Sequence, residues 1–217
     1  KKNKFILPYY GRINTYTLRN FEKIVSSLYN VKKTIATSSG LSAITITLMS
    51  LLKKNDEIMI SENCYEPVYN FSINELSKFG VKSFFYPNNI NKLEKLISKK
   101  TKIIYIESPG SLNYEVTDLE KVVKIAKSYN ILTIMDNTWS TFLGCNPIKF
   151  GIDIVIESAT KYFSGHSDNF MGLIAVNSEA LANLIKQTAV RFGDFVSPES
   201  CFNALRGLKT LDVRLKR

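Results

Sequence analysis

Histidine is all but missing from this sequence: His166 is the one imidazole in 217 residues. That excludes a His-x-x-x-His zinc site and any multi-histidine cage, and metal chemistry is not expected. Cysteine is scarce too. Cys64, Cys145 and Cys201 are odd in number and far apart, which fits free thiols in a reducing compartment better than a disulfide framework. No apolar run reaches the roughly 18 residues needed to span a bilayer, and KKNKF at the start lacks the apolar stretch of a secretory signal. The expected location is the cytoplasm, with no membrane partner. Internal repeats and low-complexity linkers are missing as well.

What is present is a composition for one sizeable core, 45% hydrophobic and 12% aromatic. Acidic residues fall short of basic ones, leaving a net charge of +10. Such a face can attract phosphates at long range. The lysines are nevertheless spread out, densest in KKNK, Lys53-Lys54, Lys99-Lys100 and the last residues RGLKTLDVRLKR. Without interleaved aromatics this reads as a solvated basic surface, and a nucleic-acid partner is not expected. Gly165-His166-Ser167-Asp168-Asn169 begins like a nucleophile elbow, but Asn169 replaces its second glycine, so a serine hydrolase is not expected. His166 reads either as a structural residue or as a catalytic one.

Short apolar runs alternate with segments at helical spacing. The runs are TIAT (34–37), EIMIS (57–61), KIIYIE (102–107), ILTIMD (131–136), IDIVIE (152–157) and GLIAVN (172–177). Leu41, Ile44, Leu48, Leu51 and Leu52 share one predicted helical face, and Leu119, Val122, Val123 and Ala126 another. Thr117 and Glu120 have the spacing of a capping box, and Asn130 stands where a left-handed cap belongs. The class is therefore α/β, a mainly parallel sheet sandwiched by helices. Ligands in such sheets sit beyond the carboxyl ends of the strands.

Those ends carry chemistry. Ser38-Ser39-Gly40 opens a helix, either as an ordinary N-cap or as a phosphate cradle of free amides. Ser158 and Thr160 add hydroxyls at another strand end. Asp136 closes ILTIM, where it either caps the next turn or holds a proton on a ring nitrogen. Tyr65 offers an aromatic face or packs. Lys161 either is solvated or holds a cofactor. A cradle, a carboxylate, an aromatic face and a lysine together suit pyridoxal phosphate, which needs a covalent lysine and an acidic partner for its ring nitrogen.

These residues resemble the Cys/Met-metabolism pyridoxal-phosphate enzymes. The likeness runs from Tyr10-Gly11-Arg12 to Arg217, most specifically through TSSGLSAIT (37–45), YEP (65–67), ESPGSLNYEV (107–116), IMDNTW (134–139), SATKYFSGHSD (158–168) and ALRGLKTLDVRL (204–215). YEP, ESPGS and DNTW are similar to the β-lyase branch more than to the γ-synthase or γ-lyase branches. The resemblance implies the large domain of an aspartate-aminotransferase-like, fold type I enzyme with a seven-stranded sheet. It implies that Lys161 holds pyridoxal 5'-phosphate and removes the substrate α-proton, that Asp136 binds the pyridine nitrogen, and that Tyr65 stacks on the ring. The amides of Gly40 and Leu41 and the hydroxyls of Ser158 and Thr160 would hold the phosphate. Tyr10 and Arg12 would complete the site of a neighbouring subunit, Tyr10 and Tyr65 serving catalysis as well, which implies a homodimer or homotetramer.

The implied reaction is β-elimination of cystathionine to homocysteine, pyruvate and ammonia. A γ-synthase or γ-lyase of the same family is one alternative, and a cofactor-binding remnant without turnover another. The implied organisation is an arm over 1–30 contacting a neighbouring subunit, a cofactor domain over 31–195, and the start of a connecting helix over 196–217. The sequence departs from the family by beginning with lysine, by carrying Asn14 where glycine is usual, and by stopping at Arg217, where relatives continue into a domain whose arginine binds the substrate carboxylate. These 217 residues alone are therefore expected to bind cofactor with little turnover.

Overall fold

The computed structural model describes residues 10–216; the basic run KKNK at 1–4, the first nine residues of the expected arm and Arg217 lie outside the described residues. The elements are α1 (Tyr16–Tyr29), β1 (Lys33–Thr37), α2 (Gly40–Leu51), β2 (Glu57–Ser61), α3 (Glu66–Asn74), β3 (Lys82–Tyr86), α4 (Ile90–Leu96) and β4 (Thr101–Glu107). They continue with α5 (Leu119–Ser128), β5 (Leu132–Asp136), α6 (Thr141–Gly144), β6 (Ile154–Ser158), β7 (Gly172–Val176), α7 (Glu179–Phe192), α8 (Pro198–Leu208) and α9 (Leu211–Leu215). Among the described residues the strands form one sheet in the order β1-β7-β6-β5-β4-β2-β3. β2 runs parallel to β3 and β4, and β4 parallel to β5, whereas β1 is antiparallel to β7. The α/β class and the mostly parallel sheet agree with the sequence.

The chain falls into two compact units, Thr47–Val155, and Lys1–Ile46 with Ile156–Arg217. In the first of these, Ile58, Met59, Ile60, Ile103, Ile104, Ile106, Ile134 and Met135 are all buried, as parallel strands covered on both faces require. β3 was not apparent in the sequence because KSFFY alternates exposed and half-buried positions at the sheet edge. α5 buries Leu119, Val122, Val123 and Ala126, the residues its spacing predicts. Its cap sits one residue later than expected: Asp118 accepts the Lys121 N–H at 3.1 Å. Thr117 is occupied otherwise, its N–H on Ser108 Oγ (2.9 Å) and its hydroxyl on Asn88 Oδ1 (3.3 Å). Asn130 takes the left-handed conformation expected of it, at φ 54°.

In the other unit, Thr15 caps α1 by accepting the Leu18 N–H, and Asn30 ends the helix in the left-handed region. Leu18, Phe21, Val25 and Tyr29 are buried, so from Tyr16 onward the stretch expected as an arm is an amphipathic helix packed on β1 and α8 of its own chain. The connecting helix expected over 196–217 is broken into α8 and α9. Thr210 Oγ1 donates to Gly207 O at 3.0 Å where α8 gives way.

Glu157, on β6, is 2% exposed and its Oε1 has no hydrogen-bond partner among the described residues. Burial pushes its carboxyl pKa well above the ordinary value. A raised folded-state pKa makes the native state hold the proton more tightly than the unfolded chain. The carboxyl therefore favours folding fully below its unfolded pKa, and that contribution declines as pH rises toward the folded one. Glu157→Gln is expected to raise stability in urea at pH 8 more than at pH 5. Identical gains at both pH values would contradict the burial argument.

Candidate active site

The sequence-predicted residues fall into two sets, one in each unit. In the unit holding both termini, α2 begins directly after β1. Ser39 is its cap, its Oγ accepting the Ser42 N–H at 3.0 Å, while Ser39 O accepts the Ala43 N–H at 3.0 Å. Among the described residues the amides of Gly40 and Leu41 are left with no acceptor. The N-cap and the cradle therefore coexist: one serine satisfies the later amide, and the first two remain available to an anion at the positive end of the helix dipole. Gly40 is glycine for a steric reason. A Cβ there would meet Ser158 Cβ at 2.7 Å and Ser158 Cα at 3.0 Å, so only glycine lets α2 begin so close to the end of β6. The structure thus brings Gly40 and Ser158 together.

Lys161 follows in the turn after β6, its N–H on Ser158 O (3.1 Å) and its carbonyl accepting Gly165 N–H (2.8 Å). Its side chain is exposed. Thr160 Oγ1 accepts the Met171 N–H (3.0 Å) and donates to Met171 O (3.2 Å), which directs its proton at the approach to β7. His166 donates Nδ1–H to Ser164 O at 2.6 Å, the structural of its two readings. Arg12 donates to Val190 O at 2.9 Å and lies over the Tyr10 ring at 5.4 Å; Tyr10 is half exposed.

The turn is braced from α8 and α9. Asn169 Nδ2 donates to Ser164 Oγ (3.0 Å) and Ser200 O (2.9 Å), Arg206 pairs with Asp168, and Arg214 donates to Gly207 O at 2.9 Å. Asp194 was not singled out from the sequence. It accepts from Ser38 N–H at 3.2 Å, from the Ser38 hydroxyl, and from Ser42 Oγ at 2.9 Å, fixing the approach to α2. Its place after α7 gives no local signal of that role.

In the other unit, Asp136 ends β5, nearly buried, with Oδ1 accepting the Thr138 N–H at 2.9 Å, so its turn-capping reading holds in any case. Tyr65 stands at the start of α3, 40% exposed. Glu107 connects the two. It lies opposite Asp136 in the β4–β5 register, and its carboxylate accepts the Tyr65 N–H at 2.6 Å and the Ser111 hydroxyl. The rule that marked Asp136, a carboxylate closing an apolar strand, would equally have marked Glu107. Burial, and then the Glu107 charge, push the Cys64 thiol up to about 12; burial, then Asp136 and Glu107, push the Tyr105 phenol well above its ordinary value. Neither group ionises near neutral pH. Trp139, half exposed, lies 5.8 Å from Tyr114.

The residues present fit a phosphate-bearing cofactor, on the ground of the two open amides over Ser158. The profile of the Cys/Met metabolism PLP-dependent enzymes matches residues 2–217. The cystathionine beta-lyase MetC of Bacillus subtilis is 36% identical over 96% of this chain and 53% of its own length. Human cystathionine gamma-lyase is 37% identical over 96% of this chain and 52% of its own. A crystal structure of metB from Corynebacterium glutamicum aligns with a TM-score of 0.92 and 29% identity, over 94% of this chain and 53% of that one. The chain spans about half the length of the curated relatives it matches and belongs to the Cys/Met metabolism family of PLP-dependent enzymes.

Proposed function

We propose that this chain carries the cofactor-binding part of a carbon–sulfur lyase acting by β-elimination on cystathionine. The observation that supports it most is the pair of acceptor-free amides at Gly40 and Leu41, set against Ser158, with Lys161 three residues further on. Those amides would hold the cofactor phosphate, with the hydroxyls of Ser158 and Thr160 beside them. Lys161 would hold the cofactor covalently through Nζ and, once released from it, would accept the substrate α-proton at the same atom, a general-base contribution of about 10²–10⁴ in rate. In this reading Asp136 would hold the proton of the ring nitrogen and Tyr65 would offer its aromatic face to the ring. When bound, the cofactor supplies a conjugated ring that takes up the electron pair left on the α-carbon.

Breaking the Cβ–S bond of cystathionine, followed by hydrolysis, yields homocysteine, pyruvate and ammonia. Tyr10 and Arg12 of one copy complete the site of a second, so the working form is a homo-oligomer. The arm, cofactor domain and connecting helix expected over 1–30, 31–195 and 196–217 belong to this reading. YEP, ESPGS and DNTW favour the β-lyase branch. The full natural protein, given pyridoxal phosphate and cystathionine, is expected to release pyruvate with homocysteine. Release of 2-oxobutyrate with cysteine would move the protein to the γ-lyase branch, and bound cofactor without any keto acid would leave it a binding protein; either result overturns the β-lyase assignment.

A further inference from the structure

A cavity of about 420 Å³ opens between α1 and the residues entering β1, within the range of small-molecule sites, about 300–1,000 Å³. Four cations line it: Arg19 and Lys23, one turn apart on α1, and Lys32 and Lys33, which return beside them. None of the four makes an ion pair among the described residues. The carboxylate in the lining is Glu22, and its Oε1 is already committed, to the Ala36 N–H at 3.1 Å and to Lys186 Nζ at 3.6 Å. Like charges one turn apart destabilise a helix. Charges closer than the Debye length, about 8 Å at physiological salt, are poorly screened from one another. The cluster is therefore electrostatically unsatisfied and complementary to a multiply charged anion.

Two further features narrow the ligand. The wall carries hydroxyls: Ser26 Oγ donates to Glu22 O at 2.7 Å and lies 3.0 Å from Thr34 Oγ1. Tyr16, which also lines the cavity, is 72% exposed and has no ring partner among the described residues. An open aromatic face beside clustered cations suits a base joined to phosphates, by stacking at one end and charge at the other. We infer that this cavity binds a nucleoside polyphosphate, with Arg19, Lys23, Lys32 and Lys33 on the phosphate chain and Tyr16 on the base. The site lies on α1 and β1 and draws on none of the cofactor residues.

The test is calorimetric titration of the protein, in saturating pyridoxal phosphate so that the α2 amides are occupied, with ATP, inorganic tripolyphosphate and adenosine. ATP is expected to bind one site, tripolyphosphate about tenfold more weakly, and adenosine not measurably. The double variant K32Q/K33Q is expected to weaken ATP binding by about tenfold or more. Tyr16→Ala is expected to weaken ATP binding and leave tripolyphosphate unchanged. These side chains are exposed, and an unchanged thermal transition is expected in each variant. Absence of saturable ATP binding, or full affinity in the double variant, overturns the proposal. Equal affinities for ATP and tripolyphosphate, indifferent to Tyr16→Ala, reduce the cavity to a phosphate site and overturn the nucleotide assignment. Tighter binding of mixed-sequence single-stranded RNA than of ATP, falling steeply with salt, assigns the face to nucleic acid and overturns it also.

Discussion

Lys161→Ala is expected to leave the fold intact while abolishing retention of pyridoxal phosphate through dialysis and reducing turnover by at least about 10²–10⁴. The fold survives because the turn is held by backbone bonds, Lys161 N–H to Ser158 O, Gly165 N–H to Lys161 O and Ser164 N–H to Ala159 O, none of which needs the side chain. Chemistry is expected to fail because, in the proposed function, one atom, Nζ, has two duties, covalent attachment and acceptance of the α-proton. Visible absorbance of the dialysed variant beside its urea unfolding curve separates the two effects. A variant that keeps the visible band after dialysis would remove Lys161 from the site.

Gly207→Ala is expected to have the next largest effect, although the residue touches no part of the proposed cofactor. A Cβ on Gly207 would fall 2.5 Å from Phe163 O and closer still to Ser164 O, the backbone of the turn that carries Lys161. Neither carbonyl can rotate aside as a side-chain tip would. The turn must shift as a body, or α8 must lift from it. Overpacking of this kind costs about 1–3 kcal/mol, and a displaced Lys161 should also lose covalent cofactor retention. Urea unfolding and bound cofactor per chain measure the two losses. Full stability together with full retention would show that the turn does not depend on α8.

The strands that were legible in the sequence are those buried on both faces. EIMIS, KIIYIE and ILTIMD stand out because parallel strands under helices require continuous apolar residues, whereas KSFFY at the edge keeps one face open and blends with the surrounding polar chain. Helix faces were legible where burial follows spacing, as in α5. The first turn of α2 was less so: Leu41 shares the spacing of Ile44 and Leu48 but is 38% exposed, at the end where the free amides lie. Cap positions failed where tertiary partners intervened, Thr117 being taken by Ser108 and Asn88. Of the candidate site, residues at strand ends could be found by rule and Gly40 by its place before a helix. Asp194 could not, because its bonds to Ser38 and Ser42 span more than 150 positions and leave no periodic trace. The break between α8 and α9 was likewise hidden, since it depends on Thr210 turning back to Gly207.

The central claim is that one lysine of this chain, out of many exposed ones, is the covalent holder of pyridoxal phosphate. Reduction of the cofactor-loaded protein with borohydride, followed by peptide mass mapping, tests it directly. The account predicts a single stable adduct per chain, on the peptide containing Lys161. An adduct distributed over exposed lysines such as Lys53, Lys99 and Lys100, or a stoichiometric adduct on any lysine other than Lys161, would contradict it.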